Sequence, residues 1–273
     1  MRILLRAPHA DATSSWESLG WRSAPDPVEL AREHEALCEL LEAAGADVVR
    51  ADGDADNLDS IYVFDPALRT PDGVLLLSPG KPARRCEPDT LAAQLDGTPV
   101  TGRLEEPAHA EGGDMFWLDE HTLVVGRSER TNDAGVDALR NALSGVDVLA
   151  FDIPNDVFHL LCLISPLADD LAVVYKPLLP TRLVELLEER GVELVEVPDE
   201  EFETMGPNVL ALAPRIGLAV EGNPETRRRL ERAGVEMAVY RGRELSKGDG
   251  GPTCLTFPLE RHPTVDFGAA RSS

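Results

Sequence analysis

The hydrophobic and polar positions along the chain repeat with a period of about 50 residues. Each repeat contains two short apolar runs, a stretch with the apolar spacing of a helix, and a third apolar run. We predict these elements at 61–64, 74–77, 87–95 and 98–101; at 114–118, 122–126, 132–143 and 146–150; at 159–165, 171–175, 180–190 and 192–197; and at 208–213, 216–220, 223–233 and 235–240. Repeats of this length are typical of closed radial arrays.

The two ends of the chain carry the parts of a fifth repeat. Runs at 2–5 and 46–50 flank a helical stretch at 28–44, and the missing first strand would come from the run at 253–257. We therefore predict an α/β fold of five ββαβ units around a pseudo-five-fold axis. The two termini would close it into a single domain over residues 1–273. The alternative is an ordinary α/β domain whose elements happen to alternate.

Composition narrows the possible partners. The chain has 26 lysines and arginines against 49 aspartates and glutamates, a formal charge of −23. This charge repels phosphate, so no nucleic-acid partner is expected, and it suits a small cationic ligand. The start resembles no signal peptide, and no run approaches the roughly 20 apolar residues of a membrane span. The four cysteines lack paired spacing, which predicts a reduced, cytoplasmic protein without a zinc site. The longest irregular segment, 7–27, is a candidate lid.

Polar residues with chemical potential recur near the start of each predicted unit, at steps of 46 to 52 residues. They are Asp59, Glu111, His159, Asn208 and Cys254. Equivalent positions of a radial fold converge on its axis, so these side chains are expected around one cavity. A thiol, a histidine and a carboxylate are the parts of a nucleophilic site. Taken singly, each residue also has an ordinary explanation as a packing or turn residue.

Four segments together resemble the pentein superfamily of guanidino-modifying enzymes. They are Glu111-Gly112-Gly113-Asp114, Gly126-Arg127-Ser128-Glu129-Arg130-Thr131-Asn132, Phe158-His159-Leu160 and Gly250-Gly251-Pro252-Thr253-Cys254-Leu255. Within that superfamily the chain is similar to the dimethylarginine dimethylaminohydrolases, with the arginine deiminases as nearest alternative. The resemblance implies a five-bladed α/β propeller, a cationic guanidino substrate, and no metal or organic cofactor. The oligomeric state stays open, because an acidic surface is compatible with a monomer or a homodimer.

The resemblance also implies roles for named residues. Cys254 would be the nucleophile, His159 the general acid and base, and Glu111 a guanidinium partner beside His159. The implied substrate-binding residues are Asp65 and Asp59 for the guanidinium nitrogens, and Arg130 with either Arg84 or Arg85 for the substrate carboxylate. The Arg84-Arg85 pair also fits a solvated turn after a proline.

One position bears on the choice of substrate. Arginine deiminases commonly carry His-x-Asp, whose aspartate binds a guanidinium nitrogen, whereas Leu161 stands at that place here. A methylated nitrogen lacks N–H groups to donate, so Leu161 favours an alkylated guanidine. The chain also lacks room for the deiminases' extra helical insertion. Against this, Phe64 replaces a glutamate usual in dimethylaminohydrolases, and Ser128-Glu129-Arg130-Thr131 has the deiminase spelling. Cys162 is predicted to be a packing thiol.

The predicted activity is hydrolysis of dimethylarginine or methylarginine to citrulline and an alkylamine through a covalent thiouronium intermediate. The alternatives are an arginine deiminase, an amidinotransferase, and a non-catalytic translation factor of the same fold.

Overall fold

A computed structural model of the chain describes residues 1–95 and 97–260 as an α/β fold with five three-stranded sheets. The strands are β1 Arg2–Arg6, β2 Asp47–Ala51, β3 Ala67–Thr70, β4 Gly73–Leu76, β5 Val100–Arg103, β6 Met115–Asp119, β7 Thr122–Arg127, β8 Asp147–Asp152, β9 Ile164–Ala168, β10 Leu171–Val174, β11 Glu193–Glu196, β12 Val209–Ala213, β13 Ile216–Val220, β14 Glu236–Tyr240 and β15 Phe257–Glu260. The helices are α1 Pro27–Ala43, α2 Glu87–Ala92, α3 Asp133–Ala142, α4 Thr181–Glu189 and α5 Pro224–Arg232.

All five sheets share one connectivity. The first two strands of a unit pair antiparallel, and a helix then leads to a third strand parallel to the second, as in β3–β4–β5. The sheet β15–β1–β2 follows the same rule, because β1 pairs antiparallel with β15 and parallel with β2. The predicted pairing of the run near the carboxyl end with the amino-terminal run is therefore confirmed.

Three predicted strands begin later than their apolar runs. The runs at 61–64, 159–165 and 253–257 open in turns, and β3, β9 and β15 start at residues 67, 164 and 257. Before β9 the Cys162 amide donates to the carbonyl oxygen of His159 at 3.0 Å, which closes a 3-10 turn. These runs are buried at consecutive positions, so their apolar character does not imply strand alternation. The residues with candidate chemistry therefore lie on turns that precede the first strand of each unit.

Helix α1 shows why these sequences form the crossover helices. Asp26 accepts hydrogen bonds from the first two exposed amides of the helix, and Gly45 ends it with a φ of 89°. The leucines at 30, 37 and 41 lie on one face and are fully buried. Burial of each such side chain contributes about 1.5–3 kcal/mol.

The core consists of five apolar clusters, and each joins two sheets. Leu37 and Leu218, for example, belong to one cluster between α1 and the sheet β12–β13–β14. The other four clusters join β15–β1–β2 to β3–β4–β5, β3–β4–β5 to β6–β7–β8, β6–β7–β8 to β9–β10–β11, and β9–β10–β11 to β12–β13–β14. Each sheet therefore shares a core with two others.

The first strands of all five units line an apolar cavity of about 390 Å³. Its wall includes side chains of β3, β6, β9, β12 and β15. Within residues 1–95 and 97–260, no helix combines the length and the apolar character needed to cross a membrane.

Candidate active site

Backbone hydrogen bonds join the turns that carry the predicted site residues. The Gly112 amide donates to the Asp65 carbonyl oxygen at 2.9 Å, and the Phe64 amide donates to the Cys254 carbonyl oxygen at 3.2 Å. The turns before β3, β6 and β15 therefore lie side by side. This contact brings the thiol of Cys254 into the neighbourhood of the Asp65 carboxylate.

Glu111 and His159 form the central pair of the site. His159 Nε2 and Glu111 Oε2 are 2.8 Å apart, and Glu111 is fully buried. The other oxygen, Oε1, accepts from the Gly80 amide at 2.9 Å and lies 3.5 Å from Arg130 Nη1. All of these partners are donors, so the pair is built around an ionised carboxylate.

The pKa values of Glu111 and His159 are shifted in opposite directions. Burial raises the pKa of Glu111, but the hydrogen bond and positive charge of His159 outweigh burial and hold it well below its ordinary value. Burial lowers the pKa of His159, but the negative charge of Asp65 and the hydrogen bond with Glu111 outweigh it and raise it to about 9. At neutral pH the pair is an imidazolium and a carboxylate.

The glycines of the Glu111-Gly112-Gly113 segment permit this close arrangement. A Cβ atom on Gly113 would lie 2.7 Å from the His159 ring and 2.8 Å from Asp65 Oδ1. The Gly113 amide donates to that same oxygen at 2.9 Å. The segment thus supplies a donor where any side chain would block the approach.

Asp114, the last residue of that segment, orients the neighbouring turns. Its Oδ1 accepts from the Leu160 amide at 3.0 Å, next to His159. Its Oδ2 accepts from the hydroxyls of Ser128 and Thr131 at 2.6 and 2.7 Å. This buried carboxylate links the turn of His159 to the turn that carries Arg130. Asp114 lies in the Glu111-Gly112-Gly113-Asp114 motif, but nothing in the sequence indicated this role.

Arg84 is enclosed beside Asp65. Its side chain is about 4% exposed, and Nη1 donates to Asp65 Oδ2 at 2.5 Å. The remaining bonds go to both oxygens of Glu87, at 2.7 to 3.0 Å, and to the Tyr62 carbonyl oxygen at 2.8 Å. Arg85, by contrast, lies at the surface and pairs with Glu106 at 2.6 Å. Arg84 is therefore buried in contact with the Asp65 carboxylate, whereas Arg85 lies at the protein surface.

Asp59 is bound by Trp21 of the candidate lid segment 7–27 and by Lys81. The Trp21 indole donates to its Oδ1 at 2.8 Å, and the Lys81 ammonium forms a short ion pair with its Oδ2. Lys81 also donates to the Leu19 carbonyl oxygen at 2.6 Å, which ties segment 7–27 to the site. The contact of Lys81 with Asp59 was not predicted from the sequence. The one indication in the sequence is that lysine is rare in this chain.

Arg130 and Lys81 border a second cavity of about 370 Å³. The other wall is the part of segment 7–27 around Glu17 and Leu19. The Arg130 side chain is 20% exposed, and its guanidinium carbon lies 5.8 Å from the centre of the Phe158 ring. This cavity therefore presents two cationic side chains beside the Glu111 carboxylate.

Cys254 is nearly enclosed, with 9% of its surface exposed. Asn208 Nδ2 lies 3.5 Å from its sulfur. Burial, followed by the negative charge of Asp65, raises the pKa of Cys254 to about 11, although the Gly251 amide and Asn208 act against this. The thiol is therefore protonated at neutral pH when no ligand is bound.

Leu161, Phe64 and Cys162, which the sequence also drew attention to, have apolar surroundings. Leu161 and Phe64 both line the 390 Å³ cavity. Cys162 packs against the same apolar cluster as Leu161, and burial raises the pKa of its thiol far above the ordinary value. This position agrees with the packing role predicted for Cys162.

The Asp65, Glu111 and His159 side chains also have the composition of a cation site. One ligand atom from each lies within 4.8 Å of those of the other two. Such a donor set fits either a metal ion or a planar organic cation with several N–H groups. Glu111 and His159, which were expected around one cavity, thus meet Asp65, which the family resemblance had named as a guanidinium partner.

The chain matches known proteins over most of its length. A family model of N,N-dimethylarginine dimethylhydrolase, eukaryotic type, matches residues 27–260. The chain is 26% identical over 240 residues to N(G),N(G)-dimethylarginine dimethylaminohydrolase of Pseudomonas aeruginosa, covering 85% of this chain and 89% of that protein. It is 30% identical over 255 residues to the arginine deiminase of Listeria welshimeri, covering 76% of this chain. It spans only 63% of that deiminase, and 47% of the deiminase of Mycobacterium avium.

Solved structures share the fold. The dimethylarginine dimethylaminohydrolase of Pseudomonas aeruginosa, a cysteine-to-serine variant in complex with citrulline, superposes with a TM-score of 0.81 at 23% identity, covering 94% of this chain and 98% of that one. The amino-terminal domain of the cyanobacterial arginine dihydrolase ArgZ, bound to product, gives 0.83 at 18% identity, covering 97% and 99%. On the family match over residues 27–260, the chain belongs to the N,N-dimethylarginine dimethylaminohydrolase family.

Proposed function

We propose that this protein is a cysteine-dependent hydrolase that converts a methylated arginine to citrulline and an alkylamine. The observation that carries the proposal is the grouping of Asp65, Glu111 and His159 within 4.8 Å, beside the turn of Cys254. Two buried carboxylates make a cradle for a cation, and the thiol beside it is the nucleophile. The same grouping supports Cys254, His159 and Glu111 as the catalytic residues.

The guanidinium is held first by Asp65 and Glu111. Each carboxylate oxygen accepts more than one hydrogen bond, so the bonds from Gly113 and Arg84 leave Asp65 able to bind substrate. Asp59 is the more distant candidate because Lys81 and Trp21 already bind both of its oxygens. It would join the cradle only if Lys81 moved away.

The substrate carboxylate is proposed to bind Arg130. This side chain is partly exposed and borders the 370 Å³ cavity, and its planar fork of donors suits a carboxylate. Arg84 has its donors committed to Asp65, Glu87 and a carbonyl oxygen, so it would act by holding Asp65. Arg85 stays a predicted binding residue and would have to exchange Glu106 for substrate.

The chemical steps follow from these positions. The thiol of Cys254 loses its proton to solvent and its sulfur attacks the guanidinium carbon. His159 gives its proton to the methylated nitrogen, the C–N bond breaks, and an alkylamine leaves a thiouronium on sulfur. Neutral His159 then takes a proton from water as the water oxygen adds to the same carbon. The C–S bond breaks, the hydroxyl proton moves to sulfur, and the ureido product departs.

Methylated arginine is preferred over arginine because of the apolar wall. Leu161 stands where an aspartate would accept N–H bonds, and Phe64 lies beside Asp65. The alternative, an arginine deiminase that releases ammonia, is supported by the 30% identity with the Listeria welshimeri deiminase. Amidino transfer is the variant in which an amine takes the place of water.

We also infer that the five units close into a ring as a single domain over residues 1–95 and 97–260; residues 261–273 of the predicted domain lie outside the described residues. The five clusters link the sheets in one cycle, and the first strands of all units line one cavity. A cytoplasmic location and a homodimer stay predictions, the latter open to a mass measurement in solution.

The test is product analysis with asymmetric dimethylarginine, monomethylarginine and arginine in parallel. We expect citrulline together with dimethylamine or methylamine, and no product from Cys254→Ala. Cys86→Ala is the matched control, because that cysteine is exposed, whereas Cys254 is buried beside Asp65. Ammonia from arginine alone would show that the interpretation of Leu161 was wrong. No citrulline from any of the three, or an active Cys254→Ala variant, would overturn the proposal.

A further inference from the structure

The turn before β12 contributes one buried side chain to the thiol, namely Asn208. Asn208 is 2% exposed and belongs to the fourth unit, and its side chain contacts Cys254. Its Oδ1 accepts a hydrogen bond from the Thr253 amide at 3.2 Å, and its Nδ2 lies 3.5 Å from Cys254 Sγ. A single amide group therefore contacts both the nucleophile and the residue before it.

The chemistry of these partners fixes the orientation of the amide. A backbone N–H can only donate, so the group that faces Thr253 must be the oxygen. The amide nitrogen then faces sulfur, and because it can only donate, the sulfur must accept. A hydrogen bond accepted by sulfur stabilises the thiolate more than the neutral thiol.

Gly251 provides the space for this contact. A Cβ atom at that position would lie 2.5 Å from both Cγ and Oδ1 of Asn208. The Gly-Gly-Pro-Thr-Cys segment must therefore lack a side chain at its second position for the amide to reach the turn. The need for this glycine couples residues that lie 43 positions apart in the sequence.

We propose that Asn208 is a positioning residue for the nucleophile, holding the Cys254 sulfur in one orientation and stabilising its thiolate by donating to it. This rests on the proposed function, since it assigns Asn208 to that same cysteine. The Asn208 amide does so without adding a negative charge to a site that already holds Asp65 and Glu111. It offsets part of the opposition that burial and the Asp65 charge present to ionisation of Cys254.

The test compares Asn208→Asp, which keeps the shape and the oxygen but loses the donor, with the wild-type enzyme. The rate of Cys254 alkylation by iodoacetamide is followed on its peptide by mass spectrometry between about pH 7 and pH 9. We expect a rate about tenfold or more lower at each pH, because fewer sulfurs are ionised. We also expect kcat to fall about ten- to a hundredfold with KM within about threefold.

The direction of the alkylation change separates positioning from mere packing. A loosened site would expose the sulfur and speed alkylation, whereas loss of the donor slows it. Asn223→Asp is the matched control: Asn223 is a buried amide of the same unit whose side chain bonds to Thr204 instead. That variant should keep the wild-type alkylation rate.

A second variant keeps the proposal testable if Asn208→Asp does not fold. Asn208→Leu is similar in size, carries no added charge, and should also slow alkylation. Unchanged or faster alkylation in a folded variant of either kind would overturn the proposal. Alkylation does not depend on turnover, so Asn208 can be tested even if no guanidino substrate is hydrolysed.

Discussion

The imidazole of His159 and the thiol of Cys254 both feel the Asp65 carboxylate and both keep their protons, which leaves the imidazole charged and the thiol neutral. On the imidazole side, Asp65 and Glu111 hold a proton on His159 and raise its pKa to about 9. On the thiol side, burial and the same Asp65 carboxylate keep a proton on Cys254 and raise its pKa to about 11. One carboxylate therefore favours the protonated form of both His159 and Cys254.

This difference explains how a resting thiol could be recruited by its substrate. A guanidinium bound between Asp65 and Glu111 brings a positive charge next to the sulfur, which favours the thiolate. The imidazolium is already charged and can protonate the leaving amine. Without the cation, the nucleophile stays neutral, so the site is reactive chiefly toward guanidino compounds.

The largest effect is expected from removal of the imidazole. His159→Asn leaves no group to protonate the departing amine or to activate water, so kcat should fall about 10²- to 10⁴-fold. Steady-state citrulline formation measures this. The exposed His121→Asn is the matched control and should retain full activity. A His159→Asn variant within tenfold of wild type would show that another group moves the protons.

Asp65→Asn tests the carboxylate that both sides share. Loss of the charge should weaken guanidinium binding and lower kcat/KM about a hundredfold. It should at the same time speed Cys254 alkylation by iodoacetamide at neutral pH, because the group that opposes ionisation is gone. The two measurements thus move in opposite directions. If alkylation slowed instead, Asp65 would not be a cause of the raised thiol pKa.

The repeating units could be predicted because their period is written in the apolar pattern. The residues at which the first strands begin could not be predicted. Residues such as Ile61, Tyr62 and Val63 are all buried, so a buried turn has the same apolar pattern as a buried strand. Turns are set by local hydrogen bonds that the pattern does not contain. The errors therefore fall on the turns that hold the candidate chemistry.

Glu111 and His159 were expected together from their equivalent positions in the repeat, and Asp65 was expected beside them from the family resemblance, but the pairing of charges could not be predicted. Arg84 looked like a substrate ligand, whereas Glu87 and Asp65 enclose it; a glutamate three residues after an arginine was the available signal. Lys81 on Asp59 depends on how segment 7–27 returns to the site. Such contacts depend on side-chain direction across distant segments, which spacing alone does not give.

The raised pKa of His159 predicts a loss of stability as pH rises. The proton is bound more tightly in the folded protein than at the ordinary pKa of 6.5, so its contribution is complete below pH 6.5 and is lost as pH passes 9. The free energy of unfolding, measured in urea relative to His159→Asn, should fall by about 3 kcal/mol across this window. Asp114, with a pKa near 6, titrates below the window, and Cys254, near 11, above it. A flat difference would mean that the imidazole is not held charged.

The smallest effect is expected for Arg130, whose Nη1 lies 3.5 Å from Glu111 Oε1. On the proposed function, in which Arg130 binds the substrate carboxylate and does not touch the reacting carbon, Arg130→Ala should raise KM about tenfold while kcat changes less than about threefold. Arg85→Ala is the comparison, because the sequence offered both arginines and only Arg130 borders the 370 Å³ cavity. A larger rise in KM for Arg85→Ala would give the carboxylate to Arg85. A large fall in kcat for Arg130→Ala would instead mean that Arg130 acts on the imidazole through Glu111. Arg130 would then support the chemical step as well as substrate binding.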